Sequence, residues 1–395
     1  MLKQSFVSIL FAGVIATPAF SQVEFTGTTQ SYLYSYETAD GDQRGDFYQG
    51  LRFRAWLHDA PQLQLRSYMR VARRGDPGEW EARWYNGSLR WKPDSRVDLR
   101  LGRQFLYDGV INASSDAFSV AATPTRDIRV RFVAGLETPR DRAFEFLSPD
   151  DGYVLGGFAS GRFARQAKLD VSYFQRNRSD NLVWQVAGAS LTGQLLDGLT
   201  YLAQLDYNLQ DEDYQRMRYR LSYATGPWTV SGEFQSQKPQ VFEDSYFNIF
   251  SLNAYQQIRG AVYRQFGQYQ VGIQNYYTLY DESETGNEII GTLSARWGTI
   301  GVVYQSGFGG DRIGLYGEAR YALTPKFEAR ARSSYYNFQR YTADFDEDAT
   351  SFSAGLRYNA GREVTVDAEL QESLNSLYDN DLRLLFRVSY RLSTI

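Results

Sequence analysis

The sequence contains no cysteine and a single histidine, His58. Without thiols there are no disulfides, no thiolate metal sites and no covalently attached haem. Without further histidines, the Ser/His and Asp/His constellations of membrane-barrel enzymes lack a general base, because His58 falls in a predicted short turn beside Asp59. Acidic loops always supply carboxylate pairs, so these do not restore the case; neither an enzymatic activity nor a cofactor is expected. Long apolar runs are also missing. At 43% hydrophobic residues and a mean hydropathy of -0.46, a bundle of membrane helices is excluded. One apolar segment, Phe6 to Phe20, follows Lys3 and ends in Ala19-Phe20-Ser21. That is the pattern of an export signal, predicted to span residues 1–21 with cleavage after Ser21 and to leave residues 22–395 as a single domain.

What is abundant is alternation. Leu51, Phe53, Ala55 and Leu57 take turns with Arg52, Arg54 and Trp56, and Leu63, Leu65, Met69 and Val71 take turns with Gln64, Arg66, Tyr68 and Arg70. A period of two over such stretches marks strands with one apolar and one polar face, and it recurs to the last residues. The connections also alternate. Short links such as 58–62, 93–96, 124–127, 195–198, 225–227, 324–326 and 360–362 take turns with longer polar ones at 39–45, 73–81, 137–150, 238–253, 281–287 and 339–348. Short turns at one rim and long loops at the other predict an all-β fold: a transmembrane, up-and-down, antiparallel β-barrel of about 22 strands, within a range of 18 to 22, and no plug domain. The lower count would place Asp116 to Thr123 and Arg142 to Leu147 in loops or in the lumen. The 16% aromatic content, with 30 tyrosines, suits girdles at two membrane interfaces.

The segment Leu99-Arg100-Leu101-Gly102-Arg103-Gln104-Phe105-Leu106-Tyr107-Asp108-Gly109 resembles the Gly-Arg-Gln strand ending of several porin-like families of the Gram-negative outer membrane. The resemblance implies an outer-membrane channel through which small hydrophilic solutes diffuse without an energy source. It further implies outer-membrane lipid, lipopolysaccharide and the barrel-assembly machinery as partners. Such barrels commonly end in Phe or Trp, whereas this chain ends Tyr390-Arg391-Leu392-Ser393-Thr394-Ile395, leaving Tyr390 and Leu392 as the candidate assembly signal.

Net charge is only -4, yet five of the 42 basic residues are lysine and 37 are arginine, mostly within predicted strands. The inward positions are Arg52, Arg54, Arg66, Arg70, Arg100, Arg129, Arg131, Arg218, Arg220, Arg330, Arg332, Arg357, Arg383 and Arg387, with Arg320 and Arg391 in the same rows. Two readings are open. The arginines form a filter for anionic solutes, or they pair across strands with Asp98, Asp170, Asp206, Glu318, Glu328, Asp367 and Glu369 and knit the wall together. Acids crowd the long loops without EF-hand spacing, so solvated tips are expected there rather than metal sites. Arginines that follow strand alternation face a lumen, and no nucleic-acid partner is expected.

A 22-strand barrel has a backbone diameter of roughly 40 Å, and part of it should be filled from within the chain. Candidates are the aromatic loop 238–253, with Phe242, Tyr246, Phe247 and Phe250, and the segments Tyr107 to Asp116 and Glu137 to Asp150. The alternatives to a free channel are a sheath around a partner such as a multihaem cytochrome and a surface scaffold or adhesin. Oligomeric state and solute identity are not legible.

Overall fold

A computed structural model describes residues 22–38, 41–75, 78–163, 166–240, 254–280, 284–308, 310–339, 346–376 and 378–394. Twenty-two strands run from β1 (Val23–Glu37) to β22 (Tyr378–Ser393), each antiparallel to its sequence neighbours. The first and last also pair, from Thr26 opposite Ser393 to Ser35 opposite Leu384, and this closes the sheet. Closure leaves the sheet without a free edge strand, so that its backbone groups are paired within the protein as a hydrocarbon surrounding requires. The expected barrel and strand number are thus observed. The predicted signal segment lies outside the described residues.

Directly opposed residues of antiparallel strands share a face, so the registers sort side chains into two shells. Leu65 of β3 (Ala60–Arg73) stands opposite Leu89 of β4 (Trp80–Trp91), which stands opposite Leu101 of β5 (Val97–Asp108), which stands opposite Phe118 of β6 (Ile111–Thr125). All four are exposed, as is Phe132 of β7 (Ile128–Glu137), and together they belong to an apolar outer belt that meets lipid. The intervening positions face inward. There Arg54 of β2 (Gln43–Leu57) is opposite Arg66, and Arg90 is opposite Arg100.

The long links fall at one rim and the short ones at the other, with three exceptions at the long-loop rim. β5 and β6 are joined by Gly109 and Val110 alone, β9 (Ala167–Arg178) and β10 (Asn181–Leu196) by Ser179 and Asp180, and β21 (Val364–Asn375) and β22 by residues 376–377. Asp116 to Thr123 lies in β6, while Arg142 to Leu147 is not a strand but part of the connection from β7 to β8 (Tyr153–Phe163).

Candidate functional site in the lumen

The wall departs from a simple barrel at β5 and β6. The ladder between β4 and β5 runs from Trp91 opposite Leu99 only as far as Gly87 opposite Arg103, although both strands continue. Gly102, at φ +114°, sits where they part. A Cβ there would lie 2.4 Å from the Gly87 carbonyl oxygen, so no other residue fits this bend.

Beyond the bend the hairpin leans into the lumen. Leu106, Ile111 and Ala113 on one of its faces are buried in a cluster with Val133, Val154, Phe158, Phe174, Trp184 and Val186, all from the inner face of β7 to β10. The tip reaches further still. The Val110 amide donates to Ser172 Oγ at 3.0 Å, Asp108 accepts from Arg131, and Arg129 approaches the same carboxylate at 3.5 Å. At about 1.5–3 kcal/mol for each large apolar side chain buried, this contact holds the hairpin as a fixed part of the lumen. Phe105 and Tyr107, on its other face, are exposed.

The displaced hairpin leaves β4 before Gly87 without a partner on its β5 side, and residues 142–146 take its place. The Trp84 amide donates to the Arg142 carbonyl at 2.8 Å, and the Trp84 ring stacks on Phe144, with centroids 5.8 Å apart. Arg103 ties this segment to the hairpin. Its guanidinium donates to Asp116 through Nε and Nη2, both at 2.9 Å, to the Trp84 and Ala143 carbonyls through Nη1, and to the Glu145 carbonyl through Nη2. All five donors are used, and the pair is fully buried. Of the predicted fillers, Tyr107 to Asp116 therefore enters the lumen and Glu137 to Asp150 supports it, while Phe242, Tyr246, Phe247 and Phe250 lie outside the described residues.

The inward arginines divide into two groups. Ten of the fourteen predicted positions meet a carboxylate. Arg100 and Arg90 bind Asp98; Arg129 and Arg131 bind Asp108; Arg218 and Arg220 bind Glu233. Arg330, Arg357 and Arg387 converge on Asp367, and Arg330 also meets Glu328 at 2.7 Å. Arg383 binds Asp381, and Arg332 approaches Glu318 at 3.8 Å. Arg52, Arg54, Arg66 and Arg70 have no carboxylate partner among the described residues. All four belong to the β2–β3 hairpin. Arg52 stacks over Tyr68, Arg54 over Trp56, and Arg70 over Tyr48 and Tyr85, at 4.7 to 5.3 Å from the ring centroids.

Three of these arginines, Arg52, Arg54 and Arg66, face the β5–β6 hairpin across a cavity of about 940 Å³. Arg52, Arg54, Arg66, Arg142 and Arg391 line it together with Phe105, and among the described residues no acidic side chain does. Sequence reading missed Arg103, Asp108 and Asp116 as the residues that hold the constriction. The available signal was the run of small residues on alternate positions of β6, Ala113, Ser115, Ala117, Ser119 and Ala121, each buried on the inner face. Small side chains there let one layer of the sheet pack closely on another.

No protein-family model matches the chain, and no curated protein matches its sequence. Solved structures resemble it in fold. The siderophore receptor PirA from Pseudomonas aeruginosa aligns with a TM-score of 0.63 at 12% identity, over 93% of this chain and 80% of that one. The translocation pore of the P pilus usher PapC aligns with a TM-score of 0.50 at 9% identity, over 94% of this chain and 100% of that one. The outer membrane protein OpdK from Pseudomonas aeruginosa gives 0.46 at 12% identity, over 94% and 98%. At such identities the first two comparisons speak for the fold, a large membrane-spanning β-barrel, and for nothing beyond it.

Proposed function

We propose that the chain is an outer-membrane, porin-like channel through which small hydrophilic solutes diffuse passively, with a preference for anions. The observation that carries this reading is the one-sided lumen. The hairpin narrows the barrel, and across the cavity beside it stand arginines that bind no carboxylate among the described residues. Positive potential in a confined aqueous passage favours anions and disfavours cations. A sheath around a large partner is disfavoured by the same hairpin, which occupies the width such a partner would need. Lipopolysaccharide and the barrel-assembly machinery are the partners that this location implies.

The test is reconstitution of refolded barrel, residues 22–395, into planar bilayers, with single-channel conductance and reversal potential read in a salt gradient. Stable conductance steps with a reversal potential on the anion side are expected. An inserted barrel that passes no current would end the channel reading and return attention to a bound partner or a scaffold role.

A further inference from the structure

The uneven neutralisation of the lumenal arginines has a cost that the protein avoids elsewhere. Like charges directly opposite each other on neighbouring strands are destabilising. Where Arg90 stands opposite Arg100, Asp98 accepts from both, at 2.5 to 3.2 Å. Where Arg70 stands opposite Arg83, Glu81 binds Arg83 at 2.9 Å. Arg54 and Arg66 are opposed in the same way, and among the described residues no carboxylate pairs with either. Arg66 donates through Nη2 only to the neutral Gln64 side chain at 3.1 Å, and its Nε is buried without an acceptor. The position is built as the other rows are, with the counter-ion left out.

We infer that the cavity between the β2–β3 wall and the β5–β6 hairpin is a binding site for a multiply charged oxyanion, of the phosphate-ester or polycarboxylate kind. The inference deepens the anion preference proposed above and rests on it only for the site's part in transport. Five guanidinium groups share the cavity: Arg52, Arg54, Arg66, Arg142 and Arg391. A monovalent anion would leave most of this charge unmet, so a ligand with two or more negative groups is favoured. Stacking of Arg52 and Arg54 on Tyr68 and Trp56 occupies the guanidinium faces and leaves the edges, which carry the donors, for forked bonds to carboxylate or phosphate oxygens. Thr26 and Thr28 extend the lining with neutral hydroxyls. Phe105, exposed on the hairpin opposite, offers an apolar surface to the uncharged part of the ligand.

The experiment is isothermal titration calorimetry on the folded barrel in zwitterionic micelles at low salt, with pyrophosphate, citrate and acetate as probes. Saturable binding of pyrophosphate or citrate is expected, with none for acetate at the same concentrations. Preference for pyrophosphate identifies a phosphate-type site, and preference for citrate a carboxylate-type site. Arg54→Gln and Arg66→Gln should each weaken that binding by about tenfold or more. Arg66→Lys, which keeps the charge but loses the fork, should fall between. The Arg312→Gln/Glu288→Gln double variant removes a neutralised pair outside the cavity, and should bind as the wild type does. Equal binding of acetate and citrate, or unchanged affinity in the Arg54 and Arg66 variants, would overturn the site. Because binding is read at equilibrium, a barrel that conducts but does not bind refutes the site alone, and one that binds but does not conduct refutes the channel alone.

Discussion

Arg103 and Asp116 meet fork to fork, at 2.9 Å through both oxygens, with their side chains 0% and 3% exposed. They stand opposite one another in the β5–β6 ladder, one residue beyond the Gly102 bend. A buried ion pair is not in itself a large gain, since desolvation offsets most of the attraction, but removal of one partner strands a charge. Asp116→Ala should therefore destabilise the folded barrel by about 3–5 kcal/mol. The Arg103→Met/Asp116→Leu double variant should cost less than either single change. Urea unfolding of the refolded barrel, followed by tryptophan fluorescence, measures both. Equal stability of Asp116→Ala and wild type would show that the pair does not anchor the hairpin.

Gly109 tests whether the hairpin sets the width of the passage. Its φ is +61°, and a Cβ would lie 2.2 Å from Ser172 Oγ. Gly109→Val adds about 1–2 kcal/mol of backbone strain to that clash. The tip should then leave the β9 wall, breaking the Val110–Ser172 bond and the Asp108–Arg131 contact. Single-channel conductance should rise, with added current noise, while the wall strands and hence insertion are retained. Conductance equal to wild type would place the constriction elsewhere.

At the opposite rim, His58 Nδ1 lies 2.6 Å from Glu24 Oε1. The hydrogen bond to that carboxylate, then its charge and that of Asp59, raise the imidazole above its ordinary value of about 6.5. A raised value means that the stabilising contribution is fully present below the ordinary one and is lost as pH rises through the raised one. The site is open to solvent, so the effect on stability is small and the titration itself is the better measurement. As His58 is the only histidine, one imidazole resonance in an NMR titration reports it. Glu24→Gln should return the midpoint toward the ordinary value; an unchanged midpoint would mean that the pair does not persist in solution.

The lipid-facing shell was legible in the sequence because it depends only on local alternation: Leu51 and Phe53 declare their face from their neighbours Arg52 and Arg54. The state of each arginine was not, because it depends on register. Asp367 is met by Arg330 from β19 (Phe327–Gln339), Arg357 from β20 (Asp346–Asn359) and Arg387 from β22, and no spacing along the chain reveals that convergence. Wall pairing therefore describes ten of the fourteen predicted positions, and the anion-filter reading is proposed for the four arginines of the β2–β3 hairpin. Two of the acids expected to pair across the wall, Asp170 and Glu369, meet no arginine among the described residues, and Asp170 instead meets Lys168 at 2.7 Å. The inward hairpin was only partly legible. Leu106, Ile111 and Ala113 alternate as a wall strand would, and they differ in what they touch rather than in their pattern.

The division between neutralised and open arginines yields its own test through Thr26. This residue is the register partner of Arg54 on β1 and faces the same cavity. Thr26→Asp would place a carboxylate where the other rows already have one. As a cross-strand pair of opposite charge it should stabilise the barrel by about 0.2–1 kcal/mol. If the open patch selects anions, the same substitution should also move the reversal potential toward that of an unselective channel, as should Arg54→Gln and Arg66→Gln. The Arg312→Gln/Glu288→Gln variant changes no net charge and should leave the reversal potential where it is. Gain of stability together with loss of anion preference would mean that the missing counter-ion is a concession of stability to transport. Gain of stability with selectivity unchanged would mean that anions pass by another face of the lumen, and the role given to the β2–β3 arginines would have to be withdrawn.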